Sequence, residues 1–225
     1  MYLKAKTPKR YRWYTRRLRP KELTHILFAL AAVLAVAAGI TFFAIYNEGN
    51  IAATNADDLL DVYEQNVASN VQNEAVSIAP TQATSLPAFG PIQRYQLIGK
   101  LEIEKIGQAL PVISETTTDA LKVSCCYYRG SMPGEKGNMI ITGHDYANGA
   151  IFGKLSELGN GDLVVLSTPA KDYTYAVYNT KVIKPDDVAA LNENTGDMTL
   201  TLMTCTGHGN RRLLVFCKLV SDEIS

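Results

Sequence analysis

Three side chains in this sequence are of the kinds that together perform nucleophilic acyl transfer: Cys205, His144 and Arg212. A thiolate is the attacking species, and nearby positive charge makes it available. An imidazole supplies that charge and later protonates the leaving amine. A guanidinium places several donors where an oxyanion develops. Taken singly, each residue has a plainer reading. A cysteine closing an apolar strand is usually just buried. A histidine after a Thr-Gly corner is usually a turn residue, and an arginine opening a strand a solvated edge charge. Only in combination do the three point to catalysis.

Strand ends must bring them together. The run TLTLMTC (199–205) ends on Cys205, so its thiol sits at a strand's C-terminal end. RRLLV (211–215) opens the next strand after a short loop, and Arg211 and Arg212 point to opposite faces of it, so only one reaches the site. The apolar run GNMIITG, closed by glycines, is a buried strand that delivers His144. Further strands are expected in YQLIGKLEI, GQALPVI, GDLVVLST, DYTYAVYNTKVI and RRLLVFCKLV. A short helix is expected in TDALKVS, with Thr118 placed to cap it, and one or two helical turns in IFGKLSEL. Many short strands with few helices argue for an all-β closed barrel or sandwich.

At these residues the sequence resembles the sortase family. TLMTC matches its Thr-Leu-x-Thr-Cys signature, Thr142-Gly143-His144 the segment carrying its histidine, and Arg212 its arginine. The resemblance covers about residues 92–222 and implies an eight-stranded sortase-type β-barrel. It implies a cysteine transpeptidase with Cys205 as nucleophile, His144 as acid/base and Arg212 as oxyanion or substrate holder; Thr204 helps to position the cysteine or to bind substrate. It also implies cleavage of a Leu-Pro-x-Thr-Gly-like sorting signal on surface proteins. The acyl group then passes to an amine acceptor, a cell-wall precursor or another protein, and no cofactor is needed. About a dozen residues separate Lys184 from Met198, too few for the long helical insertion of class B. No second apolar span and no Asp-Pro-aromatic lid of the pilin-polymerising type is seen. PDDVAALNENTG looks most like class D.

The net charge of zero hides an asymmetry. Residues 1–22 carry nine Lys/Arg against the single acid Glu22, and the rest of the chain balances them. Residues 23–47 hold no Asp, Glu, Lys or Arg and include more than 20 consecutive predominantly apolar residues. That is the length a membrane-spanning helix needs. A basic arm directly before such a run is a cytoplasmic anchor flank, which places the N-terminus inside and the rest outside. It therefore needs no nucleic-acid partner to explain it. The run exceeds the h-region of a cleaved signal peptide. The reading is a basic arm (1–22), a transmembrane signal anchor (23–47), a stalk or linker (48–91) and a catalytic domain (92–222). In the stalk, Leu59, Leu60, Tyr63, Val67 and Val71 fall on one helical face, and prolines 80, 87 and 91 keep residues 80–91 from regular structure.

Some residues stand apart. His208 is a rival base three residues after Cys205, with His144 preferred. His25 belongs to the anchor and Asp145 to a turn. Cys125, Cys126 and Cys217 form no Cys-x-x-Cys pair, which weighs against zinc-ribbon and redox readings. SLPAFG (85–90) lacks the threonine of a sorting signal and reads as linker. The rival functions are a hydrolytic cysteine peptidase on the same site, a metal or redox protein, and an anchored adhesive β-domain.

Overall fold

A computed structural model describes residues 20–74, 95–191, 197–207 and 209–224. Most of the basic arm, SLPAFG and His208 lie outside the described residues. The chain divides into two compact units, Met1–Phe43 and Ala44–Ser225.

The first unit holds most of the apolar run of a long helix, α1 (Pro20–Glu74). Phe28, Phe42 and Phe43 are all more than two-thirds exposed. By length and composition the helix is sufficient to cross a membrane.

The second unit is an eight-stranded closed barrel. Its strands are β1 (Leu97–Ile103), β2 (Gln108–Ile113), β3 (Cys125–Gly130), β4 (Gly137–Gly143), β5 (Leu163–Ser167), β6 (Lys171–Ile183), β7 (Met198–Thr206) and β8 (Arg211–Ile224). They close in the order β1-β2-β3-β4-β7-β8-β6-β5. Closure leaves no unpaired sheet edge. A short helix, α2 (Thr118–Leu121), precedes β3. Its cap is Thr117 rather than Thr118: the Ala120 amide donates to Thr117 Oγ1 at 3.0 Å. IFGKLSEL yields only the 3₁₀ turn Leu155–Glu157.

Strand alternation sorts side chains to the two faces of the barrel wall. Leu200 and Leu202 on β7, Leu213, Val215 and Cys217 on β8, and Met139 and Ile141 on β4 fill the interior. Met203, Leu214, Phe216 and Ile140 from the same strands face outward. Their cover is Ile183 with Ala190 and Leu191, the latter two from a 3₁₀ turn (Val188–Leu191) in the β6–β7 connection. Asn138 holds this cover in place. Its Nδ2 donates to the Leu191 carbonyl at 3.4 Å, and its Oδ1 accepts from Thr201 Oγ1 at 2.9 Å and Thr199 Oγ1 at 3.2 Å.

Residues 44–74 of α1 belong to this second unit. Ala52 and Ala56 are buried in the interior cluster, and Leu59 in a cluster with Ile113, Ala120, Val123 and Cys126. Polar ties flank the apolar seam. Asn148 Nδ2 donates to Asn50 Oδ1 at 3.0 Å, Lys100 Nζ to Glu64 Oε1 at 3.1 Å, and Tyr63 OH to the Ser167 carbonyl at 3.4 Å. Gly49 is buried, and a Cβ there would lie 2.2 Å from Asn148 Oδ1. The first half of the segment read as stalk is thus a helix packed on the barrel; most of the second half lies outside the described residues.

The vicinal cysteines of β3 belong to different layers. Cys125 faces the barrel interior and Cys126 faces the cluster around Leu59. Neighbouring residues on a strand point apart, so the two thiols fill two separate apolar spaces. All four cysteines are free.

Candidate active site

The site is assembled by register. In the antiparallel β7–β8 pair Cys205 stands directly opposite Arg212. Directly opposed residues share a face, with Cα atoms roughly 4.5–5.5 Å apart. In the parallel β4–β7 pair Thr204 lies beside Gly143, so His144, one residue on, leaves β4 next to Cys205. Parity gives the same result. Cys205 is two residues past the outward Met203, Arg212 two before the outward Leu214, and His144 four past the outward Ile140. The three strand ends β4, β7 and β8 are adjacent in the barrel, and all three candidates emerge on its outer face.

Burial separates Cys205 from the other thiols. Cys205 is half-buried, whereas Cys125, Cys126 and Cys217 are fully buried. Burial pushes the Cys126 and Cys217 thiols up to about 12 and raises Cys125 further. Burial and this upward shift both disfavour thiolate formation at those three.

His144 is held by a folded-back loop. Its carbonyl accepts from the Phe152 amide at 3.0 Å. Ile151 takes φ 53°, a conformation a β-branched residue adopts only when its surroundings impose it. Ile151 and Phe152 fill the space beside Gly143, where a Cβ would meet the Phe152 ring at 2.8 Å. The imidazole lies 5.3 Å from the Tyr146 ring, tilted by 59°. Its pKa is lowered, first by burial and then by the Lys122 ammonium, with Glu48 opposing. The ring is therefore biased toward the neutral form that accepts a proton.

Arg212 is half-buried, and its Nη1 donates to the carbonyls of Gly209 (3.0 Å) in the β7–β8 turn and of Arg211 (3.1 Å) at the start of β8. Arg211, one residue earlier and of opposite parity, is exposed at the first position of β8. Thr204 is buried, and its Oγ1 donates to the Gly143 carbonyl at 2.7 Å. That bond pins β7 to β4 one residue before Cys205 and His144 diverge. It ties the buried Thr204 hydroxyl to the barrel wall beside Cys205. Among the described residues no hydrogen bond joins Cys205, His144 and Arg212 to one another. Such contacts are often long before substrate is bound. No group of three or more metal-ligating side chains occurs among the described residues.

Sequence reasoning missed the residues around His144. Tyr146 had a weak signal, since two residues along an extended chain return to the same face. Glu48 and Lys122 had none, because they come from α1 and from the turn after α2.

Comparison with known proteins agrees with this architecture. The sortase domain family model matches residues 101–220, and the chain belongs to the sortase family. It is 28% identical over 203 residues to Sortase D of Bacillus subtilis (strain 168), a match covering 87% of this chain and 97% of the relative. Among solved structures, sortase A of Listeria monocytogenes superposes with a TM-score of 0.53 at 26% identity, covering 57% of this chain and 90% of that one. Sortase C1 of Streptococcus agalactiae does so with a TM-score of 0.52 at 32% identity, covering 56% and 68%. Sortases are cysteine transpeptidases, and the chain is an enzyme of that kind.

Proposed function

We propose that this sortase works through Cys205, His144 and Arg212 on a sorting signal of the Leu-Pro-x-Thr-Gly type. The observation that carries the reading is the register of three neighbouring strands. It sets Cys205 opposite Arg212 and brings His144 out beside them on one face.

The chemistry follows from the groups. The neutral His144 imidazole takes the Cys205 thiol proton. The thiolate attacks the carbonyl carbon of the scissile Thr-Gly bond, and a C–S bond forms. Arg212 N–H groups stabilise the negative oxygen of the tetrahedral intermediate. His144 returns its proton to the departing amine as the C–N bond breaks. An acceptor amine then displaces the thiolate. Thr204 positions the nucleophile through the Gly143 carbonyl. The near-full-length match to Sortase D and the short β6–β7 connection support a class D-like specificity. The apolar part of α1 serves as anchor, with the basic arm in the cytoplasm and the barrel outside.

The test is mass spectrometry of the protein incubated with sorting peptides. A thioacyl adduct on Cys205 is expected, with hydrolysed peptide when no amine is added and ligated peptide when one is. An adduct on another residue, or turnover by Cys205→Ala, would overturn the assignment.

A further inference from the structure

A second concave feature adjoins His144. It is a cleft of about 710 Å³ lined by Ile45, Glu48, Ile51 and Asn55 of α1, Thr118 and Lys122, and residues 144–147. All of these belong to the second unit. The volume suits a small ligand or a short peptide end. Cys205 and Arg212, which carry the thiol and the oxyanion donors, are not in its wall; His144 is the one member of the site that is.

The charges in the cleft are unequal. Glu48 and Asp145 are carboxylates exposed to solvent, and among the described residues neither is in an ion pair. The single cation among the lining residues, Lys122, already has Asp119 at 4.0 Å. A mouth with surplus negative charge beside an imidazole suits a ligand that arrives as an alkylammonium and leaves a proton behind. The apolar side chains of Ile45 and Ile51 offer contact to the carbon chain that bears it.

We infer that this cleft receives the acceptor amine, with Glu48 and Asp145 drawing the ammonium toward His144. The inference rests on the acyl-transfer reading of the site. The ammonium gives one proton to water to become a neutral amine. That amine attacks the thioacyl carbon, a C–N bond forms, the C–S bond breaks, and the second proton passes to His144 as the Cys205 thiolate leaves. The wall supplied by α1 gives residues 44–74 a role in the compact unit: they contribute four of the ten lining residues.

The experiment uses the full chain in detergent micelles and one sorting peptide. Three acceptors compete for the thioacyl enzyme: a glycine peptide with an α-amine, a lysine peptide with a side-chain amine, and hydroxylamine, which is small and uncharged at neutral pH. The readout is the ratio of cationic-amine product to hydroxamate within each variant, so changes in acylation cancel. Glu48→Lys is expected to lower that ratio on the order of tenfold, from reversing one charge near the ammonium. Asp145→Asn should lower it less. Ile51→Trp, which fills the cleft without changing charge, should depress both peptide acceptors and spare hydroxylamine. The better of the two peptide amines identifies the acceptor's source. A ratio unmoved by both Glu48→Lys and Ile51→Trp, with melting temperatures intact, would overturn the inference alone. Absence of any thioacyl adduct in the wild type would overturn the function reading and this inference with it.

Discussion

At the scale of single residues, the proposed site divides into groups assigned to react and groups that hold them. Cys205→Ala is expected to abolish acylation with little change in melting temperature, because the thiol is half-exposed. Cys217 behaves in the opposite way. Cys217→Ser puts a hydroxyl into the apolar interior and should cost about 1–3 kcal/mol of stability while sparing the chemistry. Alkylation of the native protein should mark Cys205 alone, and all four cysteines only after denaturation. Arg212→Lys should lose on the order of 10²–10³ in kcat/KM, since a point charge lacks the directed fork. Arg211→Lys should lose little; a reversal of the two would shift the strand register by one. His144 offers a sign that can be checked. Its folded pKa lies below the ordinary value of 6.5, so below that pH the unfolded chain binds the proton more readily. Its contribution to stability is present above pH 6.5 and falls away as the pH drops toward the folded value. Stability against pH should show this step, and His144→Gln should remove it. Lys122→Met should raise the imidazole titration point by NMR, and Glu48→Gln should lower it.

At the scale of elements, legibility followed pattern strength. β4, β7 and β8 were readable because each is an apolar run with clear ends, and those three strands carry the site. Hence the candidates Cys205, His144 and Arg212 could be picked from sequence, and the register sets them on adjacent strand ends. β3 was not, because CCYYRG puts cysteines at its two fully buried positions and shows no alternation of apolar with charged residues. The packing of α1 was half legible. Leu59 and Tyr63 stood out, but the interior cluster is reached by Ala52 and Ala56, which a hydrophobic pattern does not single out. Small residues let the helix backbone come near the wall, and that is a property of space rather than of hydrophobicity. Leu59→Ala should cost about 2–5 kcal/mol, judged from typical buried leucine truncations. Ala56→Leu should cost about 1–3 kcal/mol by overpacking. Denaturant titration would measure both. No change in either would mean that the helix rests on the barrel without supporting it.

At the scale of the whole molecule, one continuous helix carries both the apolar run and a wall of the cleft. A protease added to protoplasts is expected to digest the barrel and spare the basic arm. Protection of the barrel would reverse the proposed orientation. Separating the barrel from residues 44–74 should lower both its melting temperature and its selectivity among amines.

The register of β7 also limits how this protein can change. The strand alternates between a filled interior and the outer face that bears Cys205, and it is matched residue by residue to β4 on one side and β8 on the other. One residue gained or lost within 198–206 would turn the thiol into the core and carry a leucine to the surface. No substitution elsewhere could compensate, because both neighbours would have to slip with it. Length variation is therefore tolerable only outside the paired stretch of the strand. The same two ladders that place Cys205 thus fix its height and facing in the wall, so a change of chain length can alter what surrounds the thiol only from outside the strand.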